Sequence, residues 1–328
     1  MTTMTHDTPV RNHLRAGLLF ALLSASSFGL SGPLARGLMN AGWSPAAVVT
    51  VRVLLGGLVL LPIALYQLRG NWNLLRRNVS LLLGYGLLAV AGAQLAYFNA
   101  VAHMDVGVAL LVEYTAPVAV IVWLWLRHQQ RPGRVTVLGA LIAVVGLILV
   151  LDLISGVDTS WIGIAWSLGA MVGASAYFIL SARGDTEVPG SVLATSGLLI
   201  GGLAILAAGL VGVVPMRTAA AEVSFQGFTT QWWVPVLTLG VVTASLSYMT
   251  GIAGARRLGS RLASFVALTE VLAAIVFAWA LLGQTPRPIQ LLGGALILIG
   301  VVVVKLGEPA ETTTATAETA PVSDPAAA

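Results

Sequence analysis

Ten apolar runs, each long enough to cross a bilayer as a helix, alternate with short polar joints, and nearly every Lys or Arg falls on alternate joints. A hydrocarbon core of about 30 Å needs roughly 20 mainly apolar residues per helical crossing. The runs fall at about 16–36, 46–67, 79–101, 106–126, 135–152, 161–181, 190–214, 232–254, 262–282 and 289–305. Turn chemistry marks the joints: Trp43-Ser44-Pro45, Gly70-Asn71, Arg131-Pro132-Gly133, Pro189-Gly190 and Thr285-Pro286-Arg287-Pro288. An even number of crossings puts both ends of the chain on one side. Five crossings per half give the halves opposite orientation.

A soluble fold is excluded by composition. With 57% hydrophobic and 9% charged residues over 328 positions and a mean hydropathy of +0.91, far too much apolar surface would face water. A membrane β-barrel would show alternation in segments of about ten residues, whereas these runs are continuous and rich in Leu, Ala and Gly. The expected fold class is therefore all-α integral membrane. The first run is too long for a typical signal-peptide core and reads as an uncleaved span. Absence of cysteine excludes disulfides and thiolate metal sites.

Charge placement sets the orientation. With the N-terminus inside, thirteen of the seventeen basic residues lie on inner joints, from Arg11 and Arg15 to Arg256, Arg257, Arg261 and Lys305. Only Arg36, Arg217 and Arg287 lie outside, and Arg52 lies within a run. Positive-inside bias thus predicts both termini in the cytoplasm. Trp43, Trp72, Trp125, Trp161, Trp232 and Trp233 lie near run ends, where interfacial anchoring is expected. The net charge of +4 reflects topology, and no nucleic-acid partner is expected. Residues 1–13 read as a cytoplasmic N-terminal tail and 307–328, rich in Ala, Thr, Pro and Glu, as a disordered cytoplasmic tail.

The halves share a pattern. Aligning "TAPVAVIVWLWLRHQQRPGRVTVLGALIAVVG" with "LTEVLAAIVFAWALLGQTPRPIQLLGGALILIG" sets Pro117 on Glu270, Gly139 on Gly293 and Gly146 on Gly300. Because five is odd, a duplicated half enters the membrane from the opposite face. The expectation is two inverted five-helix repeats, 14–155 and 156–306. Inverted repeats of this kind typify secondary transporters, whose halves enclose a midplane site.

"GVALLVEYTAPV" at run four, "ASFVALTEVLAAIVFAWALLGQ" at run nine and the Gln-x-x-Gly-x-x-Leu-Ile-x-x-Gly pattern of run ten resemble the EamA-type branch of the drug/metabolite transporter superfamily. The resemblance spans about residues 14–306. Many members end run nine with Leu-Gly-Glu, where this chain has Leu282-Gly283-Gln284. The resemblance implies an alternating-access transporter of small metabolites such as amino acids or drug-like compounds, often an exporter, working without ATP in the inner or plasma membrane.

Three charges lie deep in runs: Arg52, Glu113 and Glu270. A charge at a helix centre costs about 2.5–3.5 kcal/mol on insertion scales, so such residues are functional candidates. At about 1.5 Å per residue, Glu113 lies roughly 12 Å from the outer face, Glu270 roughly 13 Å from the inner face and Arg52 roughly 10 Å below the outer face. Similar depth predicts an Arg52–Glu113 pair. Glu270, with no equally deep cation, is the stronger candidate for proton exchange or for contact with a substrate amine, and proton coupling and passive exchange both stay open. Gln94, Tyr97 and Asn99 in run three, Trp166, Ser175 and Tyr177 in run six, and Tyr248 with neighbouring hydroxyls in run eight complete the candidate site. For any one of them, helix packing is the commoner role.

Two other classes fare worse. An intramembrane enzyme wants a nucleophile–base set or a metal cluster, and the chain has no HExxH, GxSxG or cysteine. A scaffold needs neither deep carboxylates nor an inverted repeat. The expected partners are a small-molecule substrate, the lipid bilayer and, as the open alternative, protons. No cofactor or metal site is expected, and no oligomeric state is implied.

Overall fold

The computed structural model describes residues 8–115, 133–150, 160–181 and 187–307, and within them the chain is mostly helical. Pro117, Trp125, Arg127, Arg131, Arg183 and the tail after Gly307 lie outside those residues. Six helical segments are long and apolar enough to cross a membrane, and Arg134–Leu149, Thr269–Leu282 and Pro288–Val304 are shorter apolar helices.

The first crossing is α1 (Thr8–Gly29) followed after Leu30 by α2 (Ser31–Asn40). Next comes α3 (Pro45–Leu68), whose start follows from its sequence: the Ser44 hydroxyl accepts from the Ala47 N–H at 3.3 Å and Pro45 occupies the first turn. It ends at Arg69, in a left-handed conformation with φ of 46°. Two short helices, α4 (Asn73–Arg77) and α5 (Val79–Gly84), lead into a π-helical segment at Tyr85–Gly92 and then α6 (Ala93–His103). After α7 (Val106–Glu113) come α8 (Arg134–Val150), α9 (Trp161–Ser181) and α10 (Gly190–Leu210). A further crossing comprises α11 (Trp233–Thr238), a second π-helical segment at Leu239–Leu246 and α12 (Ser247–Ala267). The chain closes with α13 (Thr269–Leu282) and α14 (Pro288–Gly307).

Leu58, Leu141, Val172, Leu203 and Val276, each more than 40% exposed, lie on the outside of the bundle. In water this surface would be untenable; in a bilayer it is the solvated one. The chain is a multi-pass membrane protein.

Three features depart from the sequence reading. The inner joint expected between 254 and 262 is absent as a loop, because α12 runs through Arg256 and Arg257 to Ala267 and only Leu268 separates it from α13. The fold is not purely α: the joint between α10 and α11 forms a hairpin of β1 (Val223–Phe225) and β2 (Phe228–Thr230), paired Val223 with Thr230 and Phe225 with Phe228. Gly227 supplies the positive φ of its turn, 86°. Trp43, expected at the interface, is 7% exposed. The joint between α10 and α11 covers it: its indole N–H donates to the Ala219 carbonyl at 2.7 Å, and the Ser44 N–H donates to the Arg217 carbonyl at 2.9 Å. The hairpin also reaches α13, where the Gln226 N–H donates to the Leu281 carbonyl at 2.7 Å.

The antiparallel helices α8 and α14 meet through glycine. A Cβ at Gly139 would lie 2.5 Å from the Val304 nitrogen and 2.7 Å from the Gly300 carbonyl oxygen, and one at Gly146 would lie 2.6 Å from the Gly293 carbonyl oxygen. Small residues of this kind let apolar helices approach closely where no hydrophobic effect drives them together.

Candidate functional site

Both deep glutamates sit where helices stop. Glu113 is the last residue of α7, after which Tyr114 turns with ψ of 4°, and Glu270 lies in the first turn of α13, just past the break at Leu268. Broken helices free backbone groups and re-aim side chains at membrane depth, which is tolerated where the backbone borders a cavity or packed protein. The Tyr114 hydroxyl donates to Glu270 Oε2 at 2.8 Å. The Glu113 carboxylate receives no hydrogen bond from any described residue and lies within electrostatic reach of Glu270.

These two carboxylates line a cavity of about 80 Å³. From α1 come Ser24 and Phe28, from α6 Gln94, from α9 Tyr177, and from α12 Tyr248 and Gly251. Its wall continues along α12 through Ala255 and Ala263 to Ala267, so it reaches toward the end of the bundle that carries Arg256 and Arg257. The rest of the lining is mostly alanine. Ser24 donates to the Ser247 carbonyl at 2.8 Å, and the Tyr177 hydroxyl, buried against Ser24 and Gly251, has no close hydrogen-bond partner among the described residues. Edge-to-face contacts of Tyr248 with Phe28 at 5.1 Å and with Tyr177 at 5.6 Å fix the aromatic wall.

Arg52 is 1% exposed and stands one side chain behind this wall. Its Nε donates to Thr243 Oγ1 at 2.9 Å, its Nη2 to the Thr243 carbonyl at 2.5 Å and its Nη1 to Gln94 Oε1. Its guanidinium carbon lies over the rings of Phe28 and Phe98, 5.7 and 5.4 Å from their centroids. The pair with Glu113 expected from equal depth does not form. Depth gives height along the membrane normal but not position around it, and Arg52 instead faces the π segment that carries Thr243. The carboxylate within its electrostatic reach is Glu270.

Of the residues singled out from sequence, Gln94, Glu113, Tyr177, Tyr248 and Glu270 line the cavity and Arg52 adjoins it. Tyr97 is buried beside α2 with its hydroxyl unpartnered, outside the lining but within electrostatic reach of both glutamates. Asn99 and Trp166 lie off the cavity. The Asn99 side-chain amide donates to its own helix at Leu95 over 2.7 Å, and Trp166 is 39% exposed on the outer surface of α9. Tyr114, Thr243, Ser24 and Phe28 went unseen as site residues. For Tyr114 a signal exists, since it follows Glu113 directly.

The chain matches the EamA-like transporter family twice, over residues 15–152 and 161–306. It belongs to that family. It is 23% identical to an uncharacterized inner membrane transporter, YicL, of Salmonella typhimurium, over 89% of this chain and 96% of the relative. It is 28% identical to the threonine/homoserine exporter RhtA of Escherichia coli, over 85% of this chain and 88% of the relative. A crystal structure superposes with a TM-score of 0.57 at 19% identity, covering 88% of this chain and 96% of that one. That likeness is one of fold.

Proposed function

We propose that the chain is a secondary transporter of the inner or plasma membrane that exports amino acids or similarly small metabolites by alternating access. Ten spans form two inverted repeats, 14–155 and 156–306, with both termini cytoplasmic and an inner cavity that loads from the cytoplasm. The observation that carries this reading is the cavity itself: two carboxylates, at the ends of interrupted helices, opposed to a buried arginine within the membrane.

Two features support the inverted repeat. The alignment equates Gly139 with Gly293 and Gly146 with Gly300, and the close contacts are Gly139 to Gly300 and Gly146 to Gly293. Each contact is the other's image under the alignment, as a two-fold axis between the halves requires. The π segments likewise fall at corresponding crossings, Tyr85–Gly92 in the third and Leu239–Leu246 in the eighth. Such wide turns recur at functional sites. A cavity of about 80 Å³, far below the roughly 300 Å³ at which drug-sized pockets begin, favours a small metabolite over a bulky drug. The name of the RhtA relative points the same way. Glu270 and Glu113 are the groups positioned to meet a substrate ammonium or to carry a proton.

The test is uptake and counterflow in reconstituted vesicles against a metabolite panel, with and without a proton gradient, comparing wild type, Glu270→Gln and Glu113→Gln. Loss of a charge-assisted contact worth about 1.5–3 kcal/mol lowers apparent affinity about tenfold or more in at least one variant. Proton coupling adds a second signature, transport that the gradient drives in wild type and not in the coupling variant. Undiminished transport in both variants would sink the carboxylate mechanism.

A further inference from the structure

Arg52 is a full charge, 1% exposed, with no carboxylate bound to it among the described residues. Burying a guanidinium without an anion is costly, and proteins normally place an acid on it. Here neutral groups hold it: three hydrogen bonds to Gln94 and Thr243 use one N–H on each nitrogen, out of the five a guanidinium offers. Two N–H groups stay unbonded. The guanidinium also packs against two phenyl rings, Phe28 and Phe98. A planar, forked carboxylate matches the paired N–H donors of a guanidinium.

Gln94 closes the remaining direction. It touches Arg52 and also lines the cavity, as does Phe28, so rotating one amide side chain connects guanidinium and cavity. Gln94 Oε1 already accepts from Nη1, standing where one oxygen of a carboxylate would stand. Glu113 and Glu270 line the same cavity and supply negative charge. A solute there meets these acids and, once Gln94 turns aside, the cation as well.

We propose that Arg52 is the receptor for the substrate's α-carboxylate, with Gln94 as its placeholder in the empty site and the two glutamates as the pole for the α-ammonium. This assignment rests on the proposed transport of amino acids and adds how the zwitterion is read. Thr243 positions the guanidinium throughout, and Gln94 releases Nη1 when the carboxylate arrives. Deep burial of Arg52 then serves selectivity, because an uncharged analogue leaves the cation as unsatisfied as it was.

The full-length protein, purified and reconstituted, supplies the test. Thermal-shift binding and vesicle counterflow are measured with the proteinogenic L-amino acids, and the best of them is compared with its primary amide, which keeps the ammonium and lacks the carboxylate charge. Wild type is expected to bind the acid at least about tenfold more tightly than the amide. Gln94→Glu gives Arg52 an internal carboxylate, so the acid-over-amide preference should fall at least about tenfold while the protein becomes no less heat-stable. Equal binding of acid and amide by wild type overturns the assignment without any variant. So does a Gln94→Glu protein that keeps the wild-type preference. If amino acids are carried but not distinguished from their amides, Arg52 is not the receptor and the transport reading stands. If none is bound or carried, both readings fall.

Discussion

The seam between α8 and α14 and the cavity beside α7 and α13 solve opposite problems in the same membrane. At the seam, unbroken apolar helices lie backbone to backbone, with Gly139, Gly146, Gly293 and Gly300 removing every side chain that would hold them apart. At the cavity both helices stop, at Glu113 and just before Glu270, and polar groups replace close packing. The difference teaches where this chain places rigidity and where it tolerates unmet polar groups. Dispersion contacts at the seam need nothing from a solute. The Glu113 carboxylate, the Tyr177 hydroxyl and two Arg52 N–H groups have no hydrogen-bond partner among the described residues, and a solute can supply one.

Breaking the seam should give the largest effect. In Gly139→Ala the new methyl carbon would lie 2.5 Å from one backbone atom and 2.7 Å from another, and neither can rotate away. Overpacking costs about 1–3 kcal/mol, and against backbone that cannot rotate away the upper end is expected, read as a clearly lowered Tm in detergent. Gly84→Ala is the control, because a Cβ there meets nothing within 4 Å. Equal Tm values for the two variants would show that the seam is looser than its geometry implies.

The seam was legible in the sequence and the cavity only in part, for physical reasons. Glycine repeated at matching spacing is visible because close packing leaves no alternative residue. Glu113 and Glu270 stand out because charge in an apolar run is rare. Arg52 stood out equally, but its partner did not: residue counts measure depth, and choosing among Glu113, Glu270, Gln94 and Thr243 needs the rotation of each helix about its axis. The π segments defeat such a count, since each widened turn shifts the face of every residue after it, Gln94 and Tyr248 included. The hairpin between α10 and α11 carried a readable signal in Val223-Ser224-Phe225-Gln226-Gly227-Phe228, apolar positions alternating around a turn glycine. An all-helical expectation hid it.

A subtler change sharpens the cavity side. Tyr114→Phe keeps the ring and removes the hydroxyl that donates to Glu270 at 2.8 Å. Hydrogen bonds to charged groups contribute about 1.5–3 kcal/mol, but here cavity water can replace part of the loss. Apparent affinity in counterflow is therefore expected to weaken by about three- to tenfold, with Tm nearly unchanged. A fall in Tm like that of Gly139→Ala, with affinity preserved, would make Tyr114 a packing residue.

The smallest effect marks the edge of the cavity. Trp166 shares α9 with Tyr177 but lies eleven residues away, about 16 Å along the axis, on a stretch where Ile162 is also exposed, 59% against 39% for Trp166 itself. An aromatic ring there faces lipid, so Trp166→Ala removes apolar surface from hydrocarbon and gains or loses little. Transport is expected to stay within about twofold of wild type, as substitutions on a surface away from special contacts do. Tyr177→Phe, by contrast, deletes a hydroxyl that has no partner among the described residues. If removing Trp166 harms transport more than removing that hydroxyl, the solute travels along the outside of α9, and the cavity described above is not its path.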